Sequence, residues 1–266
     1  MMKTGRVVFA FAVVATVLSP AAAGSPRVAV WGDQADRLAD VVAKIQGAGA
    51  FANVDAVVLN TQGVPTLSEA LAYDSILIFG GANSWGSSIA AGAGDVLADY
   101  ADAGRGVVVA TFVLGSGAGG WMLHGRWDDS SRYYAMVPVV SQTRGHQTIG
   151  TRHVPDHPLL AGVNTFDGGI NSYRAPITDF VPGAVRIADW SSGTPLLAAK
   201  ELENMGRRVD LNFYPPSSDS REDFWLSSTD GDVLLANAVA WAAIPEPAGL
   251  ALLALGGVAL IRRRRK

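Results

Sequence analysis

The side chains of this chain that could do chemistry are four histidines, a surplus of carboxylates and a few hydroxyls in a glycine-rich stretch. His153 and His157 stand at i and i+4, with Asp156 beside the second. On a helix that spacing can hold a metal ion. Pro155 and Pro158 argue against a helix, and Val154 stands where the zinc-protease pattern needs a glutamate. The pair reads as a loop, with no metal site and no cofactor expected. Asp128-Asp129 and the group Asp219, Glu222 and Asp223 raise paired-acid glycoside hydrolysis, which requires carboxylates roughly 5–10 Å apart across a sugar cleft. Spacing in sequence does not set that distance, and acids this numerous are ordinarily solvated surface. Thr111 and Gly115-Ser116-Gly117 suggest a nucleophile loop, yet the Gly-x-Ser-x-Gly spacing is missing. There is no cysteine, which excludes disulfides, thiolate metal sites and a cysteine nucleophile together.

These groups need elements to position them. Residues 27–31 read as a strand, followed by helical spacing of Leu38, Val41, Val42 and Ile45 over 34–45. Residues 54–60 form a second apolar run, 67–72 a short helix, and 75–79 a strand stopped by Gly80-Gly81. A helix over 89–103, with Gly104 past its end, leads into a continuous apolar strand at 106–111. Strands without polar alternation, separated by helices, predict a parallel sheet covered on both faces. The aromatic and charged stretch 115–152 is expected as an irregular excursion over one end of that sheet. Further strands follow at 184–190, 195–200 and 207–213, the last two joined as a hairpin through Glu203-Asn204-Met205-Gly206, and a helix at 232–242 closes the domain.

Ligands of open parallel sheets bind outside the carboxyl ends of the strands. The candidate rim is therefore Asp33, Asn83, Trp85, Trp121, His124 and His157, with Trp31, Phe112 and Trp127 nearby. Tryptophans beside polar side chains suit the apolar faces and hydroxyls of a sugar. The same tryptophans would equally suit a plug that fills the end of the sheet.

The order of short motifs carries a resemblance. Val28-Ala29-Val30-Trp31 comes first, then Tyr73-Asp74-Ser75-Ile76-Leu77-Ile78-Phe79-Gly80-Gly81, and Gly104-Arg105-Gly106-Val107-Val108-Val109. Asp156-His157-Pro158-Leu159, Gly193-Thr194-Pro195-Leu196, Leu211-Asn212-Phe213 and Leu235-Ala236-Asn237-Ala238-Val239-Ala240-Trp241 follow. Together these resemble the class I glutamine amidotransferase-like domains, particularly the trehalose-utilisation (ThuA-like) branch. The resemblance implies a flavodoxin-like α/β layered fold with a mainly parallel sheet and a late hairpin. It also implies a nucleophile just after the strand at 106–111. This chain has Thr111 and Phe112 there and no cysteine anywhere, so glutaminase chemistry is rejected. In that family His157 would order a loop near the top of the sheet.

The two ends of the chain read as addresses. Lys3 and Arg6, an apolar stretch at 7–18 and Pro20-Ala21-Ala22-Ala23-Gly24 predict a secretory signal peptide over 1–23. At the other end stand Pro245-Glu246-Pro247, an apolar run at 248–261 and the basic stop Arg262, Arg263, Arg264, Arg265 and Lys266. A short apolar helix enters the bilayer, and the terminal cations stay at the cytoplasmic face. This tail at 245–266 resembles the PEP-CTERM sorting signal, which implies an exosortase-type processing enzyme as partner. It also implies a transient membrane anchor and a final place at the cell surface or in the matrix. Between the two signals lies one domain, 24–244, more acidic than the formal −3 of the whole chain. Such a domain is a poor partner for nucleic acid or anionic lipid. The expected function is a non-catalytic binding or structural component in exopolysaccharide. The alternative is a carbohydrate-active hydrolase using rim carboxylates or histidines, and a module that binds a protein partner would need no pocket.

Overall fold

A computed structural model of the chain describes residues 25–49, 51–81, 83–115, 120–202 and 206–243. The leader, the sorting tail, Ser116 and the turn residues Glu203 to Met205 lie outside the described residues.

Valine-rich segments that cannot sit at a surface build the first half of the sheet. β1 (Arg27–Gly32), β2 (Asn53–Val58), β3 (Ser75–Ile78) and β4 (Gly106–Ala110) pair in parallel, and β3 and β4 are buried along their whole length. The second expected strand ends early, at Val58, because the chain turns into α2 (Leu59–Gln62). Beyond β4 lies β8 (Arg207–Leu211), also parallel, followed by the antiparallel strands β7 (Pro195–Glu201), β6 (Val185–Trp190) and β5 (Ile149–Arg152). The sheet order is β2-β1-β3-β4-β8-β7-β6-β5. Its first five places reproduce the flavodoxin-like 2-1-3-4-5 order, with β8 in the fifth. The expected α/β fold, mainly parallel with a late hairpin, is observed. The edge strand β5 had no sequence signal: it is short, only half-buried and shifts register against β6.

Alternation along each strand divides the core into two layers. Val28, Val30, Leu77, Phe79 and Val108 face α1 (Ala35–Ala48) and α6 (Gly231–Ala243). Ala29, Trp31, Ile76, Ile78 and Val107 face the other way, onto Leu97, Tyr100 and Ala101 of α4 (Ser87–Asp102). The end of α6 packs against the start of β4: a Cβ on Gly106 would stand 2.0 Å from the Ala242 carbonyl oxygen. Strand β1 also begins at this end, so the chain enters and leaves the described domain on the side opposite the carboxyl rim.

The excursion is a correction. Only Trp121 stays over the expected end of the sheet; from Leu123 to Met136 the chain lies over one face, the face of α4, and residues 149–152 join the sheet as β5. Trp127, Tyr134 and Met136 continue the α4 layer across the antiparallel half. Three inward side chains of β8 and its continuation hold it there. Asp210 accepts from the backbone N–H of Ala135 (2.8 Å) and Met136 (2.7 Å). Asn212 accepts from Ala175 N–H (2.7 Å) and donates to the carbonyls of Ala175 (2.9 Å) and Pro195 (2.8 Å). Arg208, fully buried, donates to the Arg105 and Arg207 carbonyls and lies over the Trp127 ring.

Candidate functional site

The reversal of strand order between β1 and β3 is where a fold of this order opens its ligand crevice. Strand β1 delivers Asp33 to that point and β3 delivers Gly80-Gly81. Asp33 is buried and acts as a loop clamp. Its Oδ2 accepts from Gly81 N–H (3.1 Å) and Asn83 N–H (2.5 Å), and Asn83 Nδ2 lies 3.4 Å from the Asp33 carbonyl. The indole N–H of Trp121 donates to the Asn83 carbonyl at 2.9 Å. Its ring crosses Gly80 so closely that a Cβ there would be 2.6 Å from Trp121 Cδ1. A side chain at Gly80 would thus expel the indole.

The indole closes over an aromatic stack. Phe112 follows β4 and meets Trp121 (centroids 5.4 Å), Tyr173 (5.3 Å) and Tyr214 (5.3 Å). Tyr214 also meets Phe79 and Phe224 edge-on, and burial pushes its phenol well above the usual tyrosine range. The position after β4 therefore carries hydrophobic packing. Thr111 is fully buried and its hydroxyl donates to Asn212 Oδ1 at 3.2 Å, which removes it as an attacking group.

Of the six candidate rim residues the structure places Asp33, Asn83 and Trp121 side by side, and the other three separate. Trp85 is buried in the α4 layer, its backbone N–H bonded to the Gly120 carbonyl. His124 is held by α4, where its backbone donates to Ala90. Its imidazole lies 3.2 Å from Asp128 on the exposed side. His157 is a full correction: it sits at the opposite end of the sheet, beside Trp241 (5.4 Å) at the end of α6. There its Nδ1 accepts from Leu159 N–H, capping the 3₁₀ turn Pro158–Leu160. Burial, assisted by Arg207 and opposed by Glu201, holds its pKa below the usual histidine value. His153 lies just past β5 and bonds Asp189 at 2.8 Å, so the i,i+4 histidines diverge. The prolines that argued against a helix are the reason.

The carboxylates are dispersed as well. Asp219 is held by Lys44 and Ser227, Asp223 by Arg221 and Asn171, and Asp128 by His124. Among the described residues no group of three or more histidine, aspartate or glutamate side chains is arranged to hold a metal ion. Among the buried polar residues that sequence reasoning missed are Arg208, Asp210 and Asn212. Their alternation in a strand (i, i+2, i+4) is the signal that one face of β8 is polar.

No curated protein matches this chain. Among solved structures it is similar to the crystal structure of SMU.1228c, with a TM-score of 0.44 and 10% sequence identity over 71% of this chain and 76% of that one. No helix among the described residues is long and apolar enough to cross a membrane. Residues 243–266 match the PEP-CTERM protein-sorting motif. The match begins at the last residue of α6 and takes in Pro245-Glu246-Pro247, the apolar run and the basic end. The chain therefore carries a PEP-CTERM sorting motif and is an exported, exosortase-sorted protein, held transiently at the membrane and then associated with the cell surface.

Proposed function

We propose that the domain over 24–244 is a non-catalytic, amidotransferase-like module that binds or scaffolds exopolysaccharide outside the cell. A leader over 1–23 and processing at Pro245-Glu246-Pro247 belong to the same reading. The observation that carries it is the filling of the carboxyl rim. Phe112, Trp121, Tyr173 and Tyr214 occupy the place where a catalytic relative would keep its nucleophile accessible. The exit of the tail supports it too. Because α6 ends beside the start of β4, a domain anchored by its tail turns its rim and flanks away from the membrane. The hydrolase alternative needs two carboxylates facing each other across a cleft. Asp128, Asp219 and Asp223 are each engaged in a separate local pair, which gives that alternative no support.

The experiment is cosedimentation of the full chain with exopolysaccharide, with the supernatant analysed for released sugars. Retention without products is expected. Released oligosaccharides would make the protein an enzyme, and absence of retention would remove polysaccharide binding.

A further inference from the structure

In doubly wound folds one full helix ordinarily connects neighbouring parallel strands and covers the sheet. Here the connection from β2 to β3 holds only two four-residue turns, α2 and α3 (Leu67–Ala70), linked through Gly63-Val64-Pro65. The inner face of the β1–β2 edge is left partly uncovered, and a cleft of about 410 Å³ opens there. Trp31 and Val57, paired in register and so facing the same side, form its floor. Gln62, Val64, Glu69 and Tyr73 form its walls. The volume falls within the ~300–1,000 Å³ of ordinary small-molecule sites.

The lining selects a ligand class. Val57, Val64 and the ring of Tyr73 offer apolar contact above the fully buried Trp31. Glu69 is an exposed acceptor, and bonds from the Thr66 backbone and hydroxyl to its Oε2 hold its carboxyl below the usual range. Gln62 uses its Oε1 on the Val58 N–H, so its amide NH₂ remains as a donor. The indole N–H of Trp31, buried at the floor, meets no acceptor among the described residues. No lysine or arginine lines the cleft. Arg27, beside it, lies over the Tyr73 ring and is not itself part of the lining. A phosphate, sulfate or uronate would therefore face the exposed Glu69 carboxylate without a cation of the lining to pair with. A wholly apolar ligand would leave these polar groups unmet. A neutral sugar has an apolar ring face for Tyr73 and hydroxyls that donate to Glu69 and accept from Gln62.

We propose that this edge cleft is a binding site for a neutral pyranose unit of a polysaccharide. The inference rests on the polysaccharide reading above and places the contact at the β1–β2 edge, away from the filled rim. The position at the sheet edge lets a polymer continue past the bound unit.

The test titrates the full chain calorimetrically with cellobiose and chitobiose as neutral probes and digalacturonate as the anionic one. Cosedimentation with exopolysaccharide runs in parallel. Ala72→Trp, at an exposed position of the lining, fills the cleft from outside the core, and Val64→Trp is the second filling variant. The unaltered chain is expected to bind a neutral disaccharide and not digalacturonate. Either variant with an unchanged thermal transition is expected to weaken that binding by at least about tenfold. Equal binding of digalacturonate would overturn the ligand class. Undiminished polysaccharide retention by a folded variant would sink the cleft and leave the binding reading standing. No binding of any sugar or polymer by the unaltered chain would sink both.

Discussion

Replacing Asp210 by asparagine is the most direct probe of how the excursion is fastened. Asp210 is fully buried; burial pushes its carboxyl up from 3.8 to about 7, against the opposing pull of the Met136 and Ala135 N–H groups and of Arg208. Its Oδ2 accepts both backbone N–H groups, and its Oδ1 has no hydrogen-bond partner among the described residues. For an acid whose folded pKa is raised, the folded state holds the proton more tightly than the unfolded chain. Its contribution to stability is fully present below about pH 3.8, declines as pH rises, and is lost above about pH 7. A shift of that size corresponds to a ceiling of about 4 kcal/mol, at about 1.4 kcal/mol per unit. Asp210→Asn keeps an acceptor for the two N–H groups and cannot ionise. The difference in unfolding free energy between variant and parent should therefore shift in favour of asparagine between pH 4 and pH 8, by up to about 4 kcal/mol. Comparing the two proteins at each pH cancels the exposed carboxylates, such as Asp219 and Asp230, whose pKa values are lowered and whose effect has the opposite sign. Urea unfolding followed by tryptophan fluorescence reads this directly. Parallel profiles for the two proteins would refute the reasoning and mean that Asp210 is ionised in the fold at neutral pH.

Gly106→Ala should destabilise by about 1–3 kcal/mol, because the new Cβ meets backbone of α6 and not a mobile side-chain end; denaturant unfolding checks it. Trp121→Ala removes the N–H bond to Asn83 and the contact with Phe112 from a half-buried ring. It should cost about 1–3 kcal/mol with the fold retained, and an unchanged melting temperature would show that the indole does not close the rim. Replacing Pro245-Glu246-Pro247 by three alanines should leave an unprocessed, membrane-retained precursor. Normal C-terminal processing of that variant by intact mass would remove the sorting assignment.

The parallel half of the sheet was legible because β1, β3 and β4 are buried on both faces. A run such as Val107-Val108-Val109 reports that burial without knowledge of any partner. The missing cysteine was equally plain, and so was the tripartite tail, since a bilayer reads apolar length and terminal charge along the chain itself. Pairing across large separations was not legible. Asp210 is 75 and 74 residues from the two N–H groups it accepts from, and Asn212 is 37 from Ala175 and 17 from Pro195. Nothing local distinguishes such a buried acid from a surface one. His157 shows the same limit: its motif was visible, but the end of the sheet it reaches depends on where α6 stops. The sequence by itself determined where this protein is sent, the class of its fold and the chemistry it cannot perform. Each of these depends on composition or on periodicity along a contiguous segment. Only the tertiary structure decided that the rim is closed by Trp121 over Phe112, and that the β1–β2 edge is open. Those outcomes depend on which distant side chains the strand order brings into contact, and on two short turns standing where a full helix would have covered the sheet.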